Sequence, residues 1–66
     1  MRISVNGDGK DVAGDVSVSG LVEEQGRSER GTAVAINGEV VPKSEWSTTH
    51  LRDGDNVEIL SAVGGG

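Results

Sequence analysis

The chain contains no cysteine, which excludes disulfide staples, thiolate zinc sites and a cysteine nucleophile of its own. Sulfur chemistry involving this protein must draw its sulfur from elsewhere. Trp46 is the sole Phe, Tyr or Trp, so the core has to be assembled from Val, Ile, Leu and Ala. Long hydrophobic runs are also missing. The longest purely apolar stretch, Ala33 to Ile36, is far too short to cross a bilayer, and Met1-Arg2 leads directly into alternating residues with no apolar leader segment. No membrane partner and a cytoplasmic location are expected. Six Lys and Arg stand scattered against eleven Asp and Glu, for a net charge of −5. No basic cluster is available to neutralise a phosphate backbone, so nucleic acid is not an expected partner. The acidic balance serves solubility, with steering towards a basic groove on a partner as the second reading.

At 66 residues the chain is one domain, expected to be monomeric on its own. A domain this small buries only about 60% of the surface its unfolded form exposes, which leaves no room for a large internal active-site cavity. Its chemistry must lie at an edge or an end.

Residues Arg2 to Asn6 alternate, with Ile3 and Val5 on one face, and run into Asn6-Gly7-Asp8-Gly9. This pattern predicts a strand entering a hairpin, with a short return over Lys10 to Val12. The period then changes. Val18, Leu21, Val22 and Gln25 share one helical face, Ser17 is placed to cap the N-terminus and Gly26 to follow the C-terminus, which predicts a helix over Val18 to Gln25. Ser19 and Gly20 weaken it, an interior glycine costing up to about 1 kcal/mol relative to alanine.

After a polar connection over Arg27 to Gly31, the segment Thr32 to Asn37 alternates Val34 and Ile36 with Ala33 and Ala35. Asn37-Gly38 signals a type I′ turn into Glu39-Val40-Val41, and Pro42 ends that strand. Lys43 to Ser47 reads as a helical turn folding Trp46 onto the body. Asp53-Gly54-Asp55 turns the chain into a last strand, Asn56 to Val63, with Val57, Ile59 and Val63 on one face and Glu58, Leu60 and Ala62 on the other. The order strand, strand, helix, strand, short strand, strand describes an α+β domain in which one helix crosses a mixed sheet of four to five strands. This is the β-grasp, ubiquitin-like arrangement, and it requires the first and last strands to lie side by side. The domain is taken as residues 1–63, with residues 64–66 as a glycine tail.

Gly64-Gly65-Gly66 follows a strand and ends the sequence. Three residues without Cβ suit threading into a narrow channel, because bare backbone admits close approach and unusual dihedral angles. The chemistry that needs such an end is carboxylate activation: an adenylating enzyme converts the carboxylate with ATP into an acyl adenylate that a sulfur nucleophile attacks, giving a thiocarboxylate. A linker remnant or frayed end is the bland alternative. Leu60 and Ala62, with Ala33, Ala35 and Val40, are candidates for a docking patch near the tail, although single exposed aliphatics are ordinary on any surface. Trp46 reads as a cover for one end of the core, with an interface anchor as the alternative. His50, with Ser47 and Asp53 close in sequence, lacks a nucleophile-elbow pattern and reads as a solvated histidine. Asp53 and Asp55 lack the twelve-residue calcium pattern and read as turn residues. No catalytic residue, metal ligand or bound cofactor is assigned within the chain.

The segment Val34-Ala35-Ile36-Asn37-Gly38-Glu39-Val40-Val41-Pro42-Lys43-Ser44-Glu45-Trp46, followed by Leu51-Arg52-Asp53-Gly54-Asp55-Asn56-Val57-Glu58-Ile59 and the terminal glycines, resembles the thiamine-pathway sulfur carrier family (ThiS). The resemblance covers the second half of the chain closely and the first half in layout. It departs at Ser19-Gly20, where relatives usually carry better helix formers. It implies that the Gly66 carboxylate is adenylated by a ubiquitin-activating-like adenylyltransferase using ATP and thiolated with sulfur from a persulfide donor. Gly64 and Gly65 would thread the tail into the partner. The carrier would then deliver sulfur to thiazole synthase as a cosubstrate, not as an enzyme. Three other readings stay open: a small subunit of molybdopterin synthase or a carrier serving another metabolite, a ubiquitin-like protein modifier, and an interaction module with an inert tail.

Overall fold

In the computed structural model, which describes residues 1–61, the N-terminal alternation becomes strand β1 (Arg2–Val5), with Ile3 and Val5 buried. The chain reverses at Asn6-Gly7, whose φ angles of 51° and 89° are both positive. That is the type I′ geometry whose twist matches two antiparallel strands. Strand β2 runs Asp8–Asp11, with Asp8 already paired to Val5. The expected return over Lys10 to Val12 is therefore corrected: a type I′ hairpin uses two residues for its turn, so Asp8 and Gly9 belong to the ladder. Val12 still donates its amide to the Met1 carbonyl at 2.9 Å and is buried in the core.

Helix α1 (Val18–Glu24) buries Val18, Leu21 and Val22. It stops one residue before the expected end because Gln25 is its C-cap, and Gly26 follows at φ 72°. Seven residues that include Ser19-Gly20 have little intrinsic helical stability. Tertiary contacts hold the first turn instead. Val18 N donates to Thr49 O (2.9 Å) and Ser19 N to Trp46 O (3.1 Å), while Gly20 N donates to the Ser17 Oγ cap (3.1 Å). Amides that a helix leaves without intrahelical partners are thereby satisfied.

Strand β3 (Thr32–Ile36) turns at Asn37-Gly38, again with two positive φ angles (51° and 86°), into β4 (Glu39–Val40). Val41, expected within β4, lies just past it but donates its amide to Val34 O at 2.8 Å. A 3₁₀ turn over Lys43–Glu45 brings Trp46 inwards, where it is 1% exposed and donates Nε1–H to Val41 O at 2.8 Å. Trp46 thus closes one end of the core, as expected, and is not available as a surface anchor. The chain then returns through Leu51 and the Gly54 turn to β5 (Asn56–Ser61).

The five strands form one mixed sheet in the order β2-β1-β5-β3-β4. β1 and β5 lie side by side, as expected, and pair in parallel, while the other pairs are antiparallel. Helix α1 packs on one face, so the architecture is the α+β, β-grasp arrangement with its core between Leu21 and Val22 of the helix and Ile3, Val34, Val57 and Ile59 of the sheet. No described helix is long and apolar enough to cross a membrane.

The helix depends on packing more than on its cap, which sets two expected outcomes. Ser17→Ala lowers the unfolding free energy by about 1 kcal/mol through loss of the cap, whereas Leu21→Ala lowers it by about 2–5 kcal/mol through loss of buried volume. Urea denaturation measures both, and equal losses would contradict this ranking.

Candidate functional site

Strand β5 lies in the middle of the sheet and runs towards the end of the body where β1 has turned away and β3 begins. Its last described residue, Ser61, stands opposite Thr32 in register. Gly64, Gly65 and Gly66, the candidates for threading and sulfur attachment, lie outside the described residues, as do Ala62 and Val63. The geometry at hand is therefore that of the root from which they extend.

Two neighbours hold that root. On one side, β3 pairs with β5 along its length, through Ile36 opposite Val57, Val34 opposite Ile59 and Ala33 opposite Leu60. On the other, β1 pairs with β5 at Ser4 opposite Asn56 and Val5 opposite Val57. Beyond that point Asn6 supplies its side chain: Oδ1 accepts from Ile59 N at 2.9 Å and Nδ2 donates to Ile59 O at 3.1 Å. A matching contact lies at the start of the strand, where Asn37 Oδ1 accepts from Asn56 N at 3.0 Å and Asn37 Nδ2 donates to Asp55 Oδ1 at 3.1 Å. The reading of both Asn-Gly pairs as turns accounted for their backbone alone. The available signal was the carboxamide itself, which carries a donor and an acceptor like a peptide group.

The face of the sheet opposite α1 is open. Leu60 and Ala33 are cross-strand partners on it, and Ala35 lies between Glu58 and Val40 in the next row. Leu60 is 57% exposed and Val40 75%, the large hydrophobics left open among the described residues. Side chains paired directly across strands stand close together, so Leu60, Ala33, Ala35 and Val40 form one apolar strip with Glu58 beside it. Alternation along β5 makes this unavoidable: burying Val57 and Ile59 against the helix turns Glu58 and Leu60 outwards.

The remaining candidates are dispersed. His50 and Ser47 are exposed, and His50 forms an isolated bridge with Ser17. Asp55 Oδ2 accepts from Arg52 N at 2.8 Å within the turn, whereas Asp53 Oδ1 accepts from Arg2 N at 2.8 Å and ties the turn to the start of β1. An open groove of about 430 Å³, bordered by Val40, Pro42, Glu45 and Arg52, lies at the end of the sheet away from Ser61. What the described residues offer is an exposed apolar strip on the open face of the sheet and a strand, β5, paired on both sides before it reaches Ser61.

The model of the ThiS family matches residues 3–66. The chain is 30% identical to the sulfur carrier protein ThiS of Escherichia coli, covering all of both chains. It is 36% identical to a thiazole synthase of Paramagnetospirillum magneticum, of whose length it spans 20%. The crystal structure of the thiamine biosynthesis protein ThiS from Geobacter metallireducens superposes with a TM-score of 0.85 at 33% identity, again covering both chains completely. With a family match over nearly its whole length and a full-length relative and structure alongside, the chain belongs to the ThiS family, the sulfur carriers of thiamine biosynthesis.

Proposed function

We propose that this protein carries sulfur on Gly66 as a thiocarboxylate and donates it for thiazole formation. A carboxylate resists nucleophiles, so a partner adenylyltransferase first joins it to AMP from ATP with release of pyrophosphate. A persulfide donor then attacks the acyl carbon, the C–O bond to AMP breaks, and a thiol cleaves the S–S bond of the acyl disulfide to leave the thiocarboxylate. ATP is consumed by the partner, and the reaction is assigned to the cytoplasm. The observation that carries the reading is the family match through residue 66, together with a full-length relative named as a sulfur carrier.

Each contributor from the chain has a physical task. The apolar strip around Leu60 docks the body, and Ala62, outside the described residues, is assigned to the same task. Gly64 and Gly65 pass through the partner's channel, where side chains would obstruct closure around the backbone. Five residues follow Ser61 and span at most roughly 17 Å, so the partner's reacting centre must lie within that distance of the sheet end. Thiazole synthase is the proposed acceptor. Its support is that a relative of that name contains a segment similar to this entire chain.

Incubation with ATP, a cognate adenylyltransferase and a persulfide source is expected to raise the intact mass by about 16 Da, oxygen being replaced by sulfur. No gain with a verified partner, or adducts on lysines of other proteins, would overturn the proposal in favour of an inert or conjugating tail. Deleting Gly66 abolishes the gain while changing stability by less than about 0.5 kcal/mol, the usual range for sites outside a core. Leu60→Asp should weaken binding to the adenylyltransferase about tenfold with a similarly small stability change. Titration calorimetry reads this, and unchanged affinity would remove Leu60 from the docking strip.

A further inference from the structure

Asn6 does more than make a turn. Parallel pairing between β1 and β5 proceeds through Ser4 N to Asp55 O at 3.0 Å and Asn6 N to Val57 O at 2.9 Å. The next rung requires an acceptor for the Ile59 amide and a donor for the Ile59 carbonyl. The backbone supplies neither, because Asn6 and Gly7 have turned at positive φ and Asp8 is paired with Val5 in the hairpin. The Asn6 carboxamide, a peptide group on a side chain, fills both places at 2.9 and 3.1 Å.

We propose that Asn6 is a positioning residue for the sulfur-transfer reaction. It adds one rung beyond the end of β1, holds β5 on both sides up to Ile59, and so sets the direction of the strand as it approaches Ser61. This inference rests on the carrier reading above. Leu60 and Ser61 are paired with β3 alone, which makes the Ile59 rung the last two-sided anchor in the described strand. Without it the end of β5 samples more orientations, and a smaller fraction of docked complexes has the terminus aligned for attack. Few residues satisfy the site. Asparagine tolerates the left-handed backbone and carries donor and acceptor together. Aspartate lacks the donor and sets a charge against the Ile59 carbonyl, and glycine keeps the turn but removes the rung.

Asn6→Gly and Asn6→Asp in the full chain test this. In Asn6→Gly the amide of Ile59 should exchange roughly tenfold faster while the Val41 amide, bonded to Val34 O at 2.8 Å, keeps its protection, as loss of a local rung predicts. At saturating carrier, kcat for the mass gain should fall about 5- to 20-fold in both variants with KM within about twofold of wild type, the signature of lost alignment after docking. A merely structural role would lower the folded population, raising KM and sparing kcat. Unchanged kcat in Asn6→Gly, or an Asn6→Asp variant as active as wild type, overturns the proposal. A wild-type chain that gains no mass with a verified partner overturns the carrier reading itself, and the positioning role with it. Ile59 exchange still reports on the rung alone in that event.

Discussion

The pairing of β5 between β1 and β3 is the constraint on which the rest of the structure depends. β1 supplies the parallel neighbour and β3 the antiparallel one, so the middle of the sheet joins the two ends of the sequence. The side chains of Ser4 and Asn56 meet at 2.9 Å across a sequence separation of 52. Until β5 is in place, β1-β2 and β3-β4 are two separate hairpins, and isolated hairpins have marginal stability in water. Inserting β5 closes the sheet, buries Val57 and Ile59 beneath α1, and lets the Asn6 and Asn37 side chains bond to its backbone.

The same arrangement makes a small domain useful as a carrier. A terminus leaving an edge strand would inherit the mobility of that edge. One leaving the central strand inherits the most strongly paired element in the body. Helix α1 occupies one face of the sheet, so the opposite face, with its strip of Leu60, Ala33, Ala35 and Val40, is free beside the strand that leads to the glycines. On the function proposed above, the docking surface lies on the strand that precedes the glycines in sequence, and catalysis falls to the partner, so the carrier needs no internal cavity.

Much of the fold was legible beforehand for local reasons. Two Asn-Gly dipeptides between alternating segments specify type I′ hairpins, and both form. Ser17 and Gly26 bracket the helix because capping chemistry is short-range. Period-two alternation in Asn56 to Leu60 correctly assigned Val57 and Ile59 inwards and Leu60 outwards. Errors fell at boundaries, notably the start of β2, where Asp8 and Gly9 read as turn residues by propensity although register had already placed them in the ladder. The weak helix was legible as weak, but the Trp46 and Thr49 carbonyls that satisfy its first turn come from a segment some thirty residues away.

Residue chemistry with short-range geometry accounts for the elements, the turns, the face each strand buries and the absence of thiol chemistry within the chain. These depend on neighbours in sequence, on the allowed dihedral angles and on the period of two or 3.6. Tertiary structure alone decided that the Trp46 and Thr49 carbonyls satisfy the first turn of the helix, that the Asn37 carboxamide binds the start of β5, and that the Asn6 carboxamide replaces a missing backbone rung at Ile59. Each of those facts joins positions remote in sequence, and the direction of a side-chain hydrogen bond is set by where folding brings its partner, not by the residues on either side of it.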